Sequence, residues 1–530
     1  MSLAQGSSTI LDIWPAFKPL PYETKRVKGH SFKILLADQP NKEIILGYHH
    51  SGKTFVRDTL TTDDKGLAIA EGKADWEGGI YLVAIDGVSL FEFVYSATES
   101  GFTLEAPNTT DPLPLLQAKG SPENSLFFDY QRERVKRSIT AKRLGDRYTA
   151  NKDAGNKDSL KVIRALSESS AKALTEYQLG LAEKYPESMV ALIINLMREP
   201  EVPEIPESYL AKPDADSSMW RYLYFKQHFW DYVDFSDDRI LRTPILRDRV
   251  NKYMGQSLTV QVPDSICASA MGLIDQAREA NKEVYKNILT WIMSKYENSN
   301  IMGMNAVVCC IGNKYYANDP EVDWMKAKQK EKLLDHLNKE CNVLVGNMAH
   351  DMVMLDYDGV PRSLYTTKAD YTIVYFYSAT CGHCKKVTPK VKSIFDDYKG
   401  KGVTVFAVNT DQKDIKDADG NVINRVESED YRKYVKENNL DWINVADPLN
   451  QTNFRYYYNI YSTPVIYLVD KEKKFIGVRL DWLTLRKMLL HEVDGMEHED
   501  IDTWLKEHGF EQELEEGDTE EGEETGEGEG

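Results

Sequence analysis

Long apolar runs are missing from this chain. The longest, such as "MVALIINLM" (189–197), are about half of the roughly 20 residues a membrane helix needs, so no integral membrane segment is expected. Cysteine is scarce too. The six in 530 residues are Cys267, Cys309, Cys310, Cys341, Cys381 and Cys384, far too few for a disulfide scaffold. No stripe of Lys and Arg marks any segment, which argues against a nucleic-acid partner. The start, "MSLAQGSSTILDIW", lacks the basic and apolar regions of a signal peptide. "MSL" ahead of "AQGSS" reads as a cloned start on an already processed chain, so a native leader is expected to be missing from it.

The residues that are present make a globular composition. The chain is 42% hydrophobic, 11% aromatic and 28% charged, and its length suggests three or four domains. The net charge of −19 is uneven: the last 20 residues hold eleven acids and no base, leaving about −8 for the rest. That Glu/Gly tract, 511–530, buries too little apolar surface to offset its lost entropy and is expected to be a disordered, solvated tail.

Residues 22–107 have short β-branched and aromatic runs between turn formers, the pattern of an all-β sandwich. "GYHHSGKT" (47–54) spells a phosphate-loop motif literally, but that loop needs a helix N-terminus behind it. The stretch from Thr54 onward, "TFVRDTLTTDDKG", has no helical stripe, so a hairpin turn is expected. From 122 to 341 the apolar period becomes helical, with no fixed repeat, predicting a central all-α domain. Its aromatic stripe "WRYLYFKQHFWDYV" (220–233) reads as core more readily than as a peptide groove, with His228 a packed core histidine. Cys309 and Cys310 stand in the apolar "NAVVCCIGNK". A bond between neighbours would be strained. Inert buried thiols are the plainer reading, and a bridge from one of them, or from Cys267, to Cys341 the sharper one.

From 342 to 510 strands and helices alternate and end in a β-hairpin and a helix, predicting an α/β sheet covered on both faces. "DIKDADGN" (414–421) suggests a calcium loop, but Ile415 stands where the first acid is needed, so it is read as a turn. The chemistry lies in "YFYSATCGHCKKVTPK" (375–390). A cysteine where a strand gives way to a helix has the positive end of the helix dipole and free N–H groups beside it, which favour its thiolate. Cys381 is therefore the expected nucleophile, and Cys384, one turn inward, its better-shielded partner. His383, as imidazolium, would stabilise the Cys381 thiolate further and make the disulfide more oxidising.

"FYSATCGHCKKVTP", with a proline eight residues after the first cysteine, resembles the active-site segment of thioredoxins, and "VTVFAVNTDQ" the family's next strand. "YNIYSTPVIYLVDKEKK" resembles the element whose cis proline faces the thiols, which implies that role for Pro464. Thr463 would offer backbone hydrogen bonds to an extended substrate, beside Thr380 and Gly382. Pro464 follows Cys381 by 83 residues, and the extra segment at about 412–450 is similar to that of TlpA/ResA-like envelope oxidoreductases. The sandwich and the helical stretch resemble the β domain and the domain of unknown function that precede such modules. Two departures stand out: Tyr375 replaces the buried acid of thioredoxin, and His383 replaces its proline between the cysteines, as in protein disulfide isomerases. The proton acceptor for Cys384 stays open among Tyr375, Lys385 and water.

The resemblance implies a thiol–disulfide oxidoreductase of the periplasm or cell envelope that acts on protein substrates with disulfides or thiols. A membrane thiol carrier would reset it, and the Cys381–Cys384 disulfide would serve in place of any cofactor or metal. Reductase or isomerase is the favoured direction. Two rivals remain. One is a multidomain envelope binding or scaffold protein with the thiol pair as a minor redox sensor; the other is a metal site on Cys381, His383 and Cys384.

Overall fold

The computed structural model describes residues 28–417 and 422–510. The expected acidic tail 511–530, the expected sandwich's first residues 22–27 and the tip of "DIKDADGN" lie outside them. The chain divides into two compact units, Met1–Gln261 with Ala268–Thr290, and Val262–Cys267 with Trp291–Gly530.

The first unit begins with eight strands: β1 (His30–Leu36), β2 (Glu43–His50), β3 (Lys53–Thr61), β4 (Leu67–Gly72), β5 (Gly79–Ile85), β6 (Val88–Tyr95), β7 (Phe102–Ala106) and β8 (Gln117–Lys119). They form two four-stranded sheets, β4–β1–β7–β8 and β3–β2–β5–β6. Strand β1 shows why they face each other: Phe32, Ile34 and Leu36 are buried while Lys33 between them is not, the period-2 pattern of a half-buried strand. Trp76 stacks on Tyr81 at 5.1 Å inside that core. The motif "GYHHSGKT" is the β2–β3 hairpin. Its two turn residues, Ser51 and Gly52, have φ of 55° and 75°, and strand β3 follows where a phosphate loop needs a helix. A Cβ at residue 52 would meet the Arg247 side chain at 2.3 Å, so a glycine is needed there.

Helices come next. Pro122–Asp153 starts at Ser121, whose side chain accepts from the Asn124 N–H, and Lys157–Lys184 starts at Asn156, which accepts from Ser159. In the aromatic stripe Phe229 and Trp230 are buried. His228 is not a core residue: it ends the Ser217–Gln227 helix, half-buried, with Nδ1 2.6 Å from Asp231 Oδ2. Its carboxylate partner holds it at the surface.

The second unit joins the last helices of the helical stretch to the α/β sheet. Cys309 and Cys310 are not inert thiols. Cys267 is bridged to Cys310, and Cys309 to Cys341. Neighbours on the helix Asn305–Ile311 point apart, so each reaches a different partner. The strands of this unit are β9 (Val353–Asp356), β10 (Pro361–Ser363), β11 (Tyr371–Tyr377), β12 (Val403–Asn409), β13 (Gln412–Lys416), β14 (Val422–Glu427), β15 (Ile443–Ala446), β16 (Val465–Val469) and β17 (Phe475–Gly477). Strands β13 and β14 form a separate hairpin in the extra segment. The others make one sheet in the order β10–β9–β15–β12–β11–β16–β17, with β11 parallel to β12 and antiparallel to β16. Central strand β11 supplies both cores. Ile373, Tyr375 and Tyr377 pack on one face with the Gly382–Tyr398 helix, and Val374 and Phe376 on the other with Tyr458 and Tyr467. Sandwich, then helices, then an α/β sheet is the multidomain arrangement expected from the pattern of periods, and the α/β domain is thioredoxin-like, as the resemblance implied.

Candidate active site

Strand β11 ends at Tyr377, and the chain turns through Ser378–Thr380 into the helix Gly382–Tyr398. Cys381 is the N-cap of that helix, with extended backbone (φ −72°, ψ 127°) and a partly exposed side chain. Its position puts the sulfur over the first free N–H groups of the helix. The backbone N–H groups of Cys384 and His383 hold the Cys381 thiol below its ordinary pKa, against the opposing pull of partial burial. Cys384 lies fully buried one turn in, and the Ser378 N–H donates to its sulfur at 3.4 Å. Burial pushes the Cys384 thiol up to about 11.

The Thr463–Pro464 peptide is cis, and the Cys381 thiol donates to the Thr463 carbonyl at 3.4 Å. The structure therefore brings Cys381, Cys384, Thr463 and Pro464 together. Gly382 and His383 are both exposed, and it is the backbone N–H of His383 that serves the sulfur. A Cβ built on Gly382 meets nothing within 4 Å, so the surface at that residue is open. Thr380 is exposed and turns back into the loop, its N–H on Ser378 Oγ at 3.2 Å.

The loop has a latch that the sequence did not disclose. The Asp411 carboxylate accepts the Ala379 N–H at 2.6 Å and the Thr380 hydroxyl at 3.3 Å, while Ser378 Oγ accepts the Cys381 N–H at 3.1 Å. Asp411 comes two residues after the end of β12, the parallel neighbour of β11. An acid just past a strand in "VNTD" was the signal that could have found it, since ligand-facing groups gather at the carboxyl ends of parallel strands. Arg455 completes this edge by donating to the Thr410 carbonyl at 3.0 Å.

Tyr375, in place of a buried acid, hydrogen-bonds Thr388 Oγ1 at 2.9 Å. Burial raises its phenol far above the ordinary tyrosine value, so it stays protonated and cannot take the Cys384 proton. Lys385 is exposed on the helix. Among the described residues, no group of three or more His, Cys, Asp or Glu side chains converges to hold a metal ion.

Residues 345–476 match the AhpC/TSA family, and residues 155–340 match a domain of unknown function, DUF5106. The chain is similar to the thiol-disulfide oxidoreductase ResA of Bacillus cereus, 24% identical over 144 residues that span 27% of this chain and 72% of that protein. Among solved structures, a domain of a possible thiol-disulfide isomerase from Cytophaga hutchinsonii is 33% identical, covering 29% of this chain and 95% of that one, with a TM-score of 0.25. A thioredoxin-like protein from Bacteroides caccae is 20% identical over 56% of this chain and 99% of its own, with a TM-score of 0.42.

Proposed function

We propose that this chain, an oxidoreductase whose residues 345–476 are an AhpC/TSA-type thioredoxin-like domain related to ResA, exchanges disulfides with protein substrates through Cys381 and Cys384. One observation carries the reading. A partly exposed thiol with a lowered pKa caps a helix, a buried thiol with a raised pKa stands behind it, and a backbone carbonyl able to orient an extended chain lies 3.4 Å away.

The Cys381 thiolate attacks one sulfur of a client disulfide. A Cys381–client bond forms, the client's S–S bond breaks, and its second sulfur leaves as a thiolate that takes a proton. Cys384 then gives its proton to water, and its thiolate attacks Cys381 Sγ. The client leaves with both sulfurs reduced, and the Cys381–Cys384 disulfide holds the oxidised pair. An external dithiol, in our reading a membrane thiol carrier, returns two electrons. His383 and Thr380 edge the approach to the sulfur over Gly382, and Thr463 pairs with the client backbone.

The Cys267–Cys310 and Cys309–Cys341 bridges support an oxidising compartment, the periplasm or cell envelope. No helix among the described residues is long and apolar enough to cross a membrane. Insulin reduction with dithiothreitol as electron source tests the proposal: Cys381→Ser should abolish the activity, and Cys384→Ala should accumulate client bound covalently at Cys381. Full activity of the Cys381→Ser chain would sink the reading.

A further inference from the structure

The second unit carries a cavity that the thioredoxin-like sheet alone does not make. It has a volume of about 660 Å³, with one wall from the segment Tyr296–Asn305 and the helix Ala327–Asn342, and the other from Val478–Asp481 at the end of the sheet. That volume lies within the range of pockets that take a side chain or a small ligand, roughly 300–1,000 Å³.

Three contacts link the cavity's helical wall to the segments on either side of Pro464. Glu340, on its helical wall, accepts from Asn459 Nδ2 at 2.5 Å and pairs with Arg479 at 3.4 Å, binding that wall to the chain ahead of Pro464. The His336 ring, also lining the cavity, lies 6.5 Å from the ring of Tyr461. Tyr461 is two residues before Thr463, whose carbonyl meets the Cys381 thiol at 3.4 Å. Two residues span at most about 7 Å of backbone, so the Tyr461 backbone, whose ring neighbours His336 of the lining, lies close to the Thr463 carbonyl.

The lining says what would enter. Its charged groups are occupied with one another: Glu297 with His336 at 3.1 Å, Glu340 with Arg479, and Asp481 with the Leu483 and Thr484 N–H groups at 2.7 and 2.8 Å. The rest of the lining is mixed, with Asn298, Ser299, Asn305 and Thr484 beside the apolar Ile301, Met302, Val308, Val478 and Leu480. Ile301 is 67% exposed and Met302 43%, neighbouring apolar side chains on the cavity lining of the kind that mark a contact surface.

We propose that this cavity is a client subsite. It takes an apolar side chain carried a few residues from the client's reacting cysteine, while the client backbone lies on Thr463. The occupant is an extended segment of a protein substrate, and the inference rests on the oxidoreductase reading above. The disulfide Cys309–Cys341 ties together the two helices that brace its wall, Asn305–Ile311 and Ala327–Asn342.

The test separates binding from chemistry. The full chain carrying Cys381→Ser and Cys384→Ser is titrated with two fluorescent twelve-residue peptides, each with one S-methylated cysteine, flanked three residues away on both sides by Leu or by Ser. The Leu peptide should bind about tenfold more tightly, the effect of burying one aliphatic side chain. Ile301→Asp and, separately, Met302→Asp, both at exposed positions, should remove that preference. Equal affinity for the two peptides, or a preference untouched by both substitutions, overturns the subsite. The chain with its thiols intact is assayed in parallel on the same peptides as disulfides with glutathione. If it reduces neither while the Leu preference persists, the oxidoreductase reading falls and the apolar peptide site stands.

Discussion

Cys381 and Cys384 are three residues apart, yet their environments drive their thiols in opposite directions. Helix N–H groups pull the first down, and burial pushes the second up to about 11. The shift of Cys381 raises its thiolate fraction at neutral pH, so iodoacetamide should label it first. Its rate should rise with pH through a midpoint below 9.0, while Cys384 stays unlabelled; mass spectrometry of the labelled peptides reads both. For stability the signs also differ. The lowered Cys381 pKa adds stability to the reduced chain that is present above the unfolded thiol's pKa and lost as pH falls through the folded one. The raised Cys384 pKa adds stability present below the unfolded value and lost as pH climbs toward about 11. Tyr375 tests which neighbour matters for proton transfer. Its phenol stays protonated and bonded to Thr388, so Tyr375→Phe should cost about 1 kcal/mol of stability, read by urea unfolding. The pH profile of insulin reduction should keep its shape. A displaced basic limb would make Tyr375 part of the proton path after all.

The active-site loop is an element held from outside itself. Within Ser378–Cys381 the Ser378 hydroxyl and carbonyl accept from the N–H groups that follow; a charged anchor from outside is Asp411, just past the end of the next parallel strand. Asp411→Ala leaves the Ala379 N–H without its charged acceptor, a loss of about 1.5–3 kcal/mol. The loosened N-terminus should also hold the thiolate less well. Both a lower unfolding midpoint and a higher pH midpoint for Cys381 alkylation are expected; an unchanged alkylation midpoint would reduce Asp411 to a structural tether. This latch shows where the sequence stops being readable. Strand β11 and the helix behind it could be read because their signals are local: a β-branched and aromatic run, then a cysteine at the change of period. Asp411 could not, because 30 residues separate it from Cys381 and only the parallel pairing of β11 and β12 brings it back. A bridge from one of the vicinal cysteines to Cys341 was legible, but that it starts at Cys309 and that Cys267 pairs with Cys310 was hidden for the same reason. Vicinal cysteines state that their side chains diverge, but not which partners they meet. His228 misled in the opposite way: an aromatic stripe implied burial, and a carboxylate three residues on held the ring out.

At the scale of the molecule, the change from helical to alternating period at about 342 does not coincide with the seam between compact units. The second unit takes in Val262–Cys267 and everything from Trp291 onward, so the thioredoxin-like sheet and the last helices before it pack as one body. Its two bridges close loops of 43 and 32 residues, each contributing on the order of 4 kcal/mol by restricting the unfolded chain. The Glu340 contacts to Asn459 and Arg479 tie the same helices to the loop that carries Pro464. Two fragments separate these contributions. Residues 262–510 keep all four bridged cysteines and the Glu340 contacts; residues 342–510 keep the sheet and both active-site thiols but lose every one of them. Each should reduce a small disulfide such as dithionitrobenzoate, because the helix N-terminus beneath Cys381 is present in both. The longer fragment should melt higher by about 5 °C or more, the shift expected from losing a few kcal/mol in a domain of this size. It should lose that advantage when its bridges are reduced, because the wall they brace then holds the Pro464 loop less firmly. Equal melting temperatures before reduction would mean that the helices are carried by the sheet and give it nothing in return.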